Sequence, residues 1–472
     1  MADPKVKRSS QPRGIPTVSY RSPEGLLIEL LHDEGGRTTS LAVSVPGQAV
    51  RVEAFVDLPT GERLIPYSAT NNLIVTGCVL LPSEVVDFVD KSKLVADIRA
   101  FLRRYVDLTP TFEDIAAHYV LLTWVYDGFN ELPYLRFRGD YGTGKTRALI
   151  AVGSLCYKPF FASGASTVSP IFHVLDAFGA TLILDEADFR FSDATAELTK
   201  VLNNGNVKGL PVLRTMANRH HELNPKAFRV FGPKLIAMRE HFSDRALESR
   251  FLTEETGRRP LPAHIPIHQP ESLKTEATAL RNKLLAWRFR TLHTVSPDPS
   301  RLIAGVEPRL NQTALALLSL MDDVELRQNV AEALMGEDAA RRGERSETEE
   351  AQVLSALIEA FDEGRKPYVR ISDVANLLNG RAPERLELSL NNRRVAWIIR
   401  NRLRIASRKS NGVYIVPASE RPKLEGLAPR FGLILRPSSN STRPSGLSPT
   451  GKLAVPPGHQ ITSPAKGSDA ER

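Results

Sequence analysis

The stretch YLRFRGDYGTGKTRALI, residues 134–150, decides how the rest of the chain is read. An apolar run ends at Gly139, two more glycines follow at 142 and 144, and Lys145 and Thr146 then open an amphipathic helix. Gly139, Gly144, Lys145 and Thr146 match the spacing G-x-x-x-x-G-K-[ST], with the strand before and the helix after that the pattern requires. Glycines let successive backbone N–H groups curl round an anion, and the helix turns its positive N-terminal end towards the same point. Gly139, Gly142, Thr143, Gly144, Lys145, Thr146 and Arg147 are therefore expected to hold the phosphates of ATP. Lys145 would reach the β- and γ-phosphates, and Thr146 would offer its hydroxyl to Mg2+. Asp140 is expected to point its carboxylate away from the phosphates.

Working outward, ATLILDEADF (residues 180–189) is an apolar strand ending in Asp185 and Glu186. It supplies what the loop lacks, a carboxylate for Mg2+ in Asp185 and one to orient and activate the attacking water in Glu186. In FRVFGPKLIAMREHFSDRALESRFLTEE (residues 228–255) a second apolar strand should lie beside the one bearing Asp185. Arg239 at its end is the candidate γ-phosphate sensor. Arg250, closing a short helix, is the candidate for neutralising transition-state charge at a neighbouring subunit's nucleotide. Arg214 is a further candidate for contact with the nucleotide or a neighbour, and Arg309 is a candidate lid arginine or else a solvated surface residue. Strands are expected at 133–138, 158–162, 180–184, 228–238 and 250–254, alternating with helices. That alternation predicts an α/β fold with a parallel sheet covered on both faces.

A chain of 472 residues is expected to hold roughly three units. The segments read as a disordered basic arm (1–20), a small antiparallel β module (21–82), a helical neck (83–131), the α/β core (132–255), a helical lid (256–336), a hydrophilic linker (337–349), a compact C-terminal unit (350–418) and a Pro/Ser-rich disordered tail (419–472). No run of 18 or more apolar residues exists to span a bilayer, and the polar N-terminus lacks the apolar core of a signal peptide. The cytosol is the expected compartment. Two cysteines, Cys78 and Cys156, lie far apart with no neighbouring histidine, which excludes an argument for a disulfide framework or a zinc site.

The net charge of +8 is concentrated near the C-terminus. Residues 388–419 contain Arg393, Arg394, Arg400, Arg402, Arg404, Arg408 and Lys409 and no acidic residue. Helix, strand, helix, helix and a hairpin turning at Asn411-Gly412 is the order of a winged helix. Arg393, Arg394 and Arg400 on the third helix and Arg408 and Lys409 on the wing would meet DNA phosphates, single-stranded or duplex. A protein-docking wing is the alternative.

GDYGTGKT, LILDEAD and DRALESRF together resemble the AAA+ class of P-loop ATPases, whose members act mostly as rings. LILDEADFRFSD, LNNGNVKGLPVLR and VFGPKLIAMREHFSDRALESRF more closely resemble ATPase domains of phage and mobile-element proteins, some fused to primases and treated as replicative helicases. The likeness covers about residues 95–255. It implies a homo-oligomeric, Mg2+-dependent ATPase acting on DNA, with Arg250 as the finger in trans. One position departs from the AAA+ pattern, because Met238 and Arg239 stand where Asn, Ser or Thr is usual. A switch that binds DNA according to nucleotide state, or a ring that remodels a protein partner, would use the same loop.

Overall fold

The computed structural model describes residues 14–186, 193–217, 223–242, 244–363, 367–381 and 390–433. At its centre lies a wholly parallel five-stranded sheet: β1 (Tyr134–Arg138), β2 (Pro159–Ser163), β3 (Thr181–Asp185), β4 (Lys234–Met238) and β5 (Phe251–Glu255). Their order across the sheet is β5-β1-β4-β3-β2. The chain leaves β1, crosses to the far edge at β2, returns through β3 and inserts β4 between β3 and β1. The expected α/β class with a parallel core is therefore present, and β4 lies beside β3 with Leu182 opposite Lys234.

Side chains alternate across each strand, and the two sets enter two separate apolar layers. Leu135, Phe137, Ile183, Leu235, Ala237 and Leu252 face a layer of helices, Lys91–Tyr105, Pro110–Val125, Lys145–Gly153, Ser272–Thr291 and Pro308–Leu318. Tyr134, Leu182, Leu184, Ile236, Met238 and Phe251 face helices Val168–Phe178 and Asp193–Asn204 and strands of the N-terminal region. Lys91–Tyr105 is amphipathic, burying Leu94, Ile98, Phe101, Leu102 and Tyr105 at helical spacing. Pro110–Val125 is buried on nearly every side, from Phe112 to Val125. It is a core helix and not a neck.

The N-terminal region is not a separate module. Strands Ser19–Arg21, Leu27–Asp33, Thr38–Ser44 and Arg51–Glu53 form an antiparallel sheet, while Gly14–Thr17 pairs in parallel with Arg63–Pro66, which also pairs with Val56–Asp57. Residues 14–17 and 19–20, expected in a disordered arm, are thus in strands, and residues 1–13 of that expectation lie outside the described residues. Ile28, Leu30, Leu41 and Val43 share one core with Leu182 and Ile236. A buried charge network adds to this. Glu29 accepts from the Tyr157 hydroxyl and from Arg288 Nε, each at 2.8 Å, and pairs with Lys158 Nζ at 2.8 Å. Such charges are tolerable only because each is paired. The strand at 27–33, the core and the helix at 272–291 are tied at one point. On the outer edge, Phe161 N donates to the Cys78 carbonyl and Leu80 N to the Pro159 carbonyl, which covers β2.

Between β3 and β4 the chain makes an antiparallel hairpin, Val212–Ala217 with Leu223–Phe228, where a single strand from 228 to 238 was expected. Residues 229–233 leave the hairpin, and β4 starts only at Lys234.

The chain divides into two compact units with the boundary between Arg341 and Arg342. That boundary falls inside the helix Val324–Ser346, so the residues expected to be a linker from 337 onward are helical. An Arg341–Glu337 pair at 3.0 Å, one turn apart, supports this hydrophilic helix.

The second unit contains helix Glu349–Asp362, strand Tyr368–Arg370, helix Ile371–Arg381 and helix Asn392–Trp397, which continues into a wider turn at Ile398–Arg402. Strands Arg408–Ser410 and Val413–Pro417 follow, and the sheet is antiparallel with Val413–Pro417 in the middle. Asn411 and Gly412, with φ of 47° and 80°, form the hairpin turn. Asn391 caps the helix at 392 by accepting from Arg394 N at 2.9 Å. Its start was expected at Ser389, which lies outside the described residues. Helix Arg421–Leu427 belongs to this core through the buried Leu424, so residues 419–433 are ordered where a tail was expected. Among the described residues no helix is long and apolar enough to cross a membrane.

Candidate functional site

All five parallel strands run towards the same side of the sheet, and the loop after β1, residues 139–144, lies there. That side of an open parallel sheet is where loops and helix N-termini converge on ligands. Gly142 and Gly144 take φ of 72° and 90°, a conformation that a side chain resists, and the helix begins at Lys145. At Gly139 the requirement is space: a Cβ there would lie 2.6 Å from Thr256 Oγ1 and 2.7 Å from Thr143 Oγ1. Thr143 Oγ1 lies 2.9 Å from Thr256 Oγ1 and donates to the Asp140 carbonyl at 2.8 Å, which ties the loop to the residue after β5. Asp140 is exposed, its carboxylate accepting from Tyr141 N at 2.8 Å.

Lys145 Nζ donates to the Asp140 carbonyl at 2.6 Å, so the ammonium folds back over the loop. Thr146 Oγ1 donates to Asp185 Oδ2 at 2.8 Å. The hydroxyl from the end of the loop and the carboxylate from the end of β3 therefore meet across the intervening β4. Asp185 Oδ1 accepts from Glu186 N at 2.9 Å. Glu186 is exposed and has φ of 53°. The left-handed region costs a residue with a side chain about 1–2 kcal/mol. Gly164 makes room for this turn, because a Cβ there would sit 2.4 Å from the Glu186 carbonyl oxygen.

A hydroxyl and a carboxylate 2.8 Å apart are hard oxygen donors of the kind Mg2+ takes, usually only one or two from protein with phosphate and water completing the shell. Among the described residues no cluster of three or more His, Cys, Asp or Glu could hold a metal by itself. The donor set fits an ion that arrives with phosphates.

Arg239 follows β4, and its guanidinium lies 3.6 Å from the centroid of the Tyr141 ring and hydrogen-bonds its hydroxyl. The arginine thus reaches the 139–144 loop, through a contact with Tyr141, which is 73% exposed. Beside the loop opens a cavity of about 400 Å³, lined by Val106, Asp107, Arg147, Arg259, Leu261 and Ile267 among others. Arg147 lines this cavity together with Gly142, Thr143 and Gly144. Its guanidinium donates to the carbonyls of Pro266 and Ile267 and holds that wall in place.

Beneath the site, Arg136 of β1 is 1% exposed and makes paired hydrogen bonds to the Glu248 carboxylate. Burial alone would raise the Glu248 pKa, but the hydrogen bond and charge of Arg136 outweigh it and hold the carboxyl at about 2. This pair and the Thr256-Gly257 turn were not read as site components. The position of Thr256-Gly257 at the carboxyl end of β5 was the available signal for the turn, since ligands bind at that end of parallel strands.

Three further candidate arginines lie as follows. Arg250 is 7% exposed and sits at the start of β5, the opposite end of the strand from Thr256. Its guanidinium donates to Asn206 Oδ1 at 2.8 Å, Asn203 Oδ1 at 2.6 Å and the Ala246 carbonyl at 2.6 Å. It braces its own subunit and does not project from it. We expect Arg250→Met to lower stability by about 3 kcal/mol in denaturant unfolding without nucleotide, since both asparagines lose a charged partner. An unchanged midpoint would return Arg250 to the intersubunit candidates. Arg309 is half-buried and close enough to Arg250 to oppose its charge. Arg214 pairs with Glu197 at 3.1 Å and packs over Phe172, holding the 212–228 hairpin to two helices.

In the second unit Arg393, Arg394, Arg400, Arg408 and Lys409 are all exposed. Arg394 is engaged by Glu349 at 2.8 Å, whereas Arg408 and Lys409 lie on the hairpin strand Arg408–Ser410.

No family model matches this chain, and no curated protein matches it. It is similar to the solved structure of the NrS-1 C-terminal region, with 10% identity over 83% of this chain and 96% of that one and a TM-score of 0.36. It is also similar to JCV helicase, with 13% identity over 53% and 61% of the two chains and a TM-score of 0.23. The Aeropyrum pernix ORC1 protein in complex with DNA is similar at 15% identity over 72% and 92%, with a TM-score of 0.20.

Proposed function

We propose that this chain is a Mg2+-dependent P-loop ATPase that acts on DNA, as a helicase or helicase-like replication factor of a phage or mobile element. The observation that carries the ATPase half is the 2.8 Å contact between Thr146 Oγ1 and Asp185 Oδ2, with Lys145 on the adjacent residue. Mg2+ bound there would neutralise charge on the β- and γ-phosphate oxygens. The N–H groups of 142–146 and the ammonium of Lys145 bind and orient the triphosphate. Glu186 holds the water and takes its proton, a role supported by the strained backbone that sets it beside Asp185. Arg239 senses the γ-phosphate end, releasing Tyr141 as it does so. Val106, Leu261 and Ile267 offer apolar surface in a cavity of a size suited to a nucleobase.

The DNA half rests on the basic second unit, whose strand order and turn support a winged helix. Assembly into a ring belongs to the same proposal. With Arg250 buried, the exposed Arg245 on the same short helix becomes the arginine that a neighbour's nucleotide could receive. Arg245→Ala should lose turnover and regain part of it when mixed with Lys145→Ala subunits. No recovery from a mixture of normal oligomeric mass would remove that role.

Steady-state hydrolysis measured with and without single-stranded and duplex DNA, alongside strand displacement, tests the whole reading. Stimulation with displacement supports the motor. Tight DNA binding with negligible turnover would replace it with a nucleotide-controlled switch, and indifference to DNA would leave only the ATPase.

A further inference from the structure

The second unit exposes aromatic rings in the middle of its positive charge. The helix Asn392–Trp397 and the turn after it bury Val395, Ala396, Ile398 and Ile399, and leave Trp397 40% exposed. The Arg394 and Arg402 guanidinium carbons lie 4.9 and 5.3 Å from the Trp397 ring centroid. Glu349 holds Arg394 at 2.8 Å and Glu350 holds Arg402 at 3.6 Å, which fixes both arginines beside the indole. Three positions after Trp397, on the same side, Arg400 lies 5.0 Å from the ring of Tyr414, which is 46% exposed. Lys409 is the cross-strand partner of Tyr414. The face therefore alternates flat rings with cations.

A double helix would use only part of it. Duplex DNA offers phosphates to the arginines but keeps its base faces stacked inside, so two exposed rings would meet only groove edges. Unpaired bases present their faces, stack on aromatic rings and guanidinium planes, and carry phosphates that track a basic groove. We propose that this face binds single-stranded nucleic acid, with bases stacking on Trp397 and Tyr414 and phosphates held by Arg393 and Lys409. This rests on the reading that the second unit binds nucleic acid.

The test uses the full chain and fluorescein-labelled oligothymidylate, oligouridylate and a DNA duplex of equal length, followed by anisotropy. Trp397→Ala is expected to weaken single-strand binding about tenfold to a hundredfold. Duplex binding should change little, which also controls for folding, and Trp397→Phe should restore most of the single-strand affinity. Equal affinity of the two homopolymers is consistent with stacking as the dominant contact, and the same loss on both is expected. If Trp397→Ala weakens duplex binding as much as single-strand binding, or leaves both unchanged, the stacking role is overturned. The double charge reversal Arg393→Glu with Lys409→Glu separates the two levels. Loss of binding to every probe upholds a nucleic-acid surface even where Trp397→Ala does nothing. Unchanged binding in both variants removes the nucleic-acid reading of this unit.

Discussion

Lys145→Ala is expected to weaken ATP binding by roughly two orders of magnitude, with steady-state hydrolysis falling below detection. A hydrogen bond from a charged donor is worth about 1.5–3 kcal/mol, and the upper end corresponds to about a hundredfold in affinity. The phosphates would keep the backbone N–H groups and the helix terminus but lose the one full positive charge within the loop itself. The side chain folds back onto the Asp140 carbonyl, on the surface of the loop, so truncation should leave the sheet intact. Titration of a fluorescent ATP analogue, with circular dichroism as the folding control, measures this directly. Undiminished affinity would contradict the assignment of residues 139–146 to the phosphates.

Glu186→Gln should separate chemistry from binding. The replacement has the same shape and meets the same backbone cost at φ of 53°, so the Glu186 N–H to Asp185 contact of 2.9 Å is expected to persist. What disappears is a base for the attacking water, and general-base catalysis contributes about 10²–10⁴-fold. Turnover is therefore expected to drop at least about a hundredfold while ATP affinity stays within a few-fold. A fall in kcat at constant affinity is the signature of a group that acts in the transition state. Turnover equal to the parent protein would take Glu186 out of the mechanism, and a matching loss of affinity would make it a ligand for the metal or the substrate.

The two variants probe residues that were singled out from the sequence alone, and the reason is locality. Residues 139–146 are a contiguous run whose glycines take the positive φ that their residue type permits, at 142 and 144. Asp185 and Glu186 end an apolar run that could only be a buried strand. Arg250 shows the opposite case. Its three strongest partners include Asn203 and Asn206, 47 and 44 residues away in the chain, and nothing in DRALESRF announces them. An arginine's role depends on which oxygens the fold brings within hydrogen-bond reach, and that is a property of the packing.

The same distinction holds for the architecture. Period-two strands and 3.6-period helices announced a parallel α/β core, and a basic cluster announced an anionic partner for the C-terminal unit. The strand order, with β4 between β1 and β3, was set by how two alternating apolar faces could both be covered. Strands within residues 14–66 and the Pro110–Val125 helix pack against those faces, and the hydrophilic stretch that resembled a linker is helical. Local sequence pattern singled out the residues proposed to meet a triphosphate. Only the tertiary structure decided where Arg239 and Arg250 lie, because burial and long-range hydrogen bonds outweigh local pattern for a side chain that long.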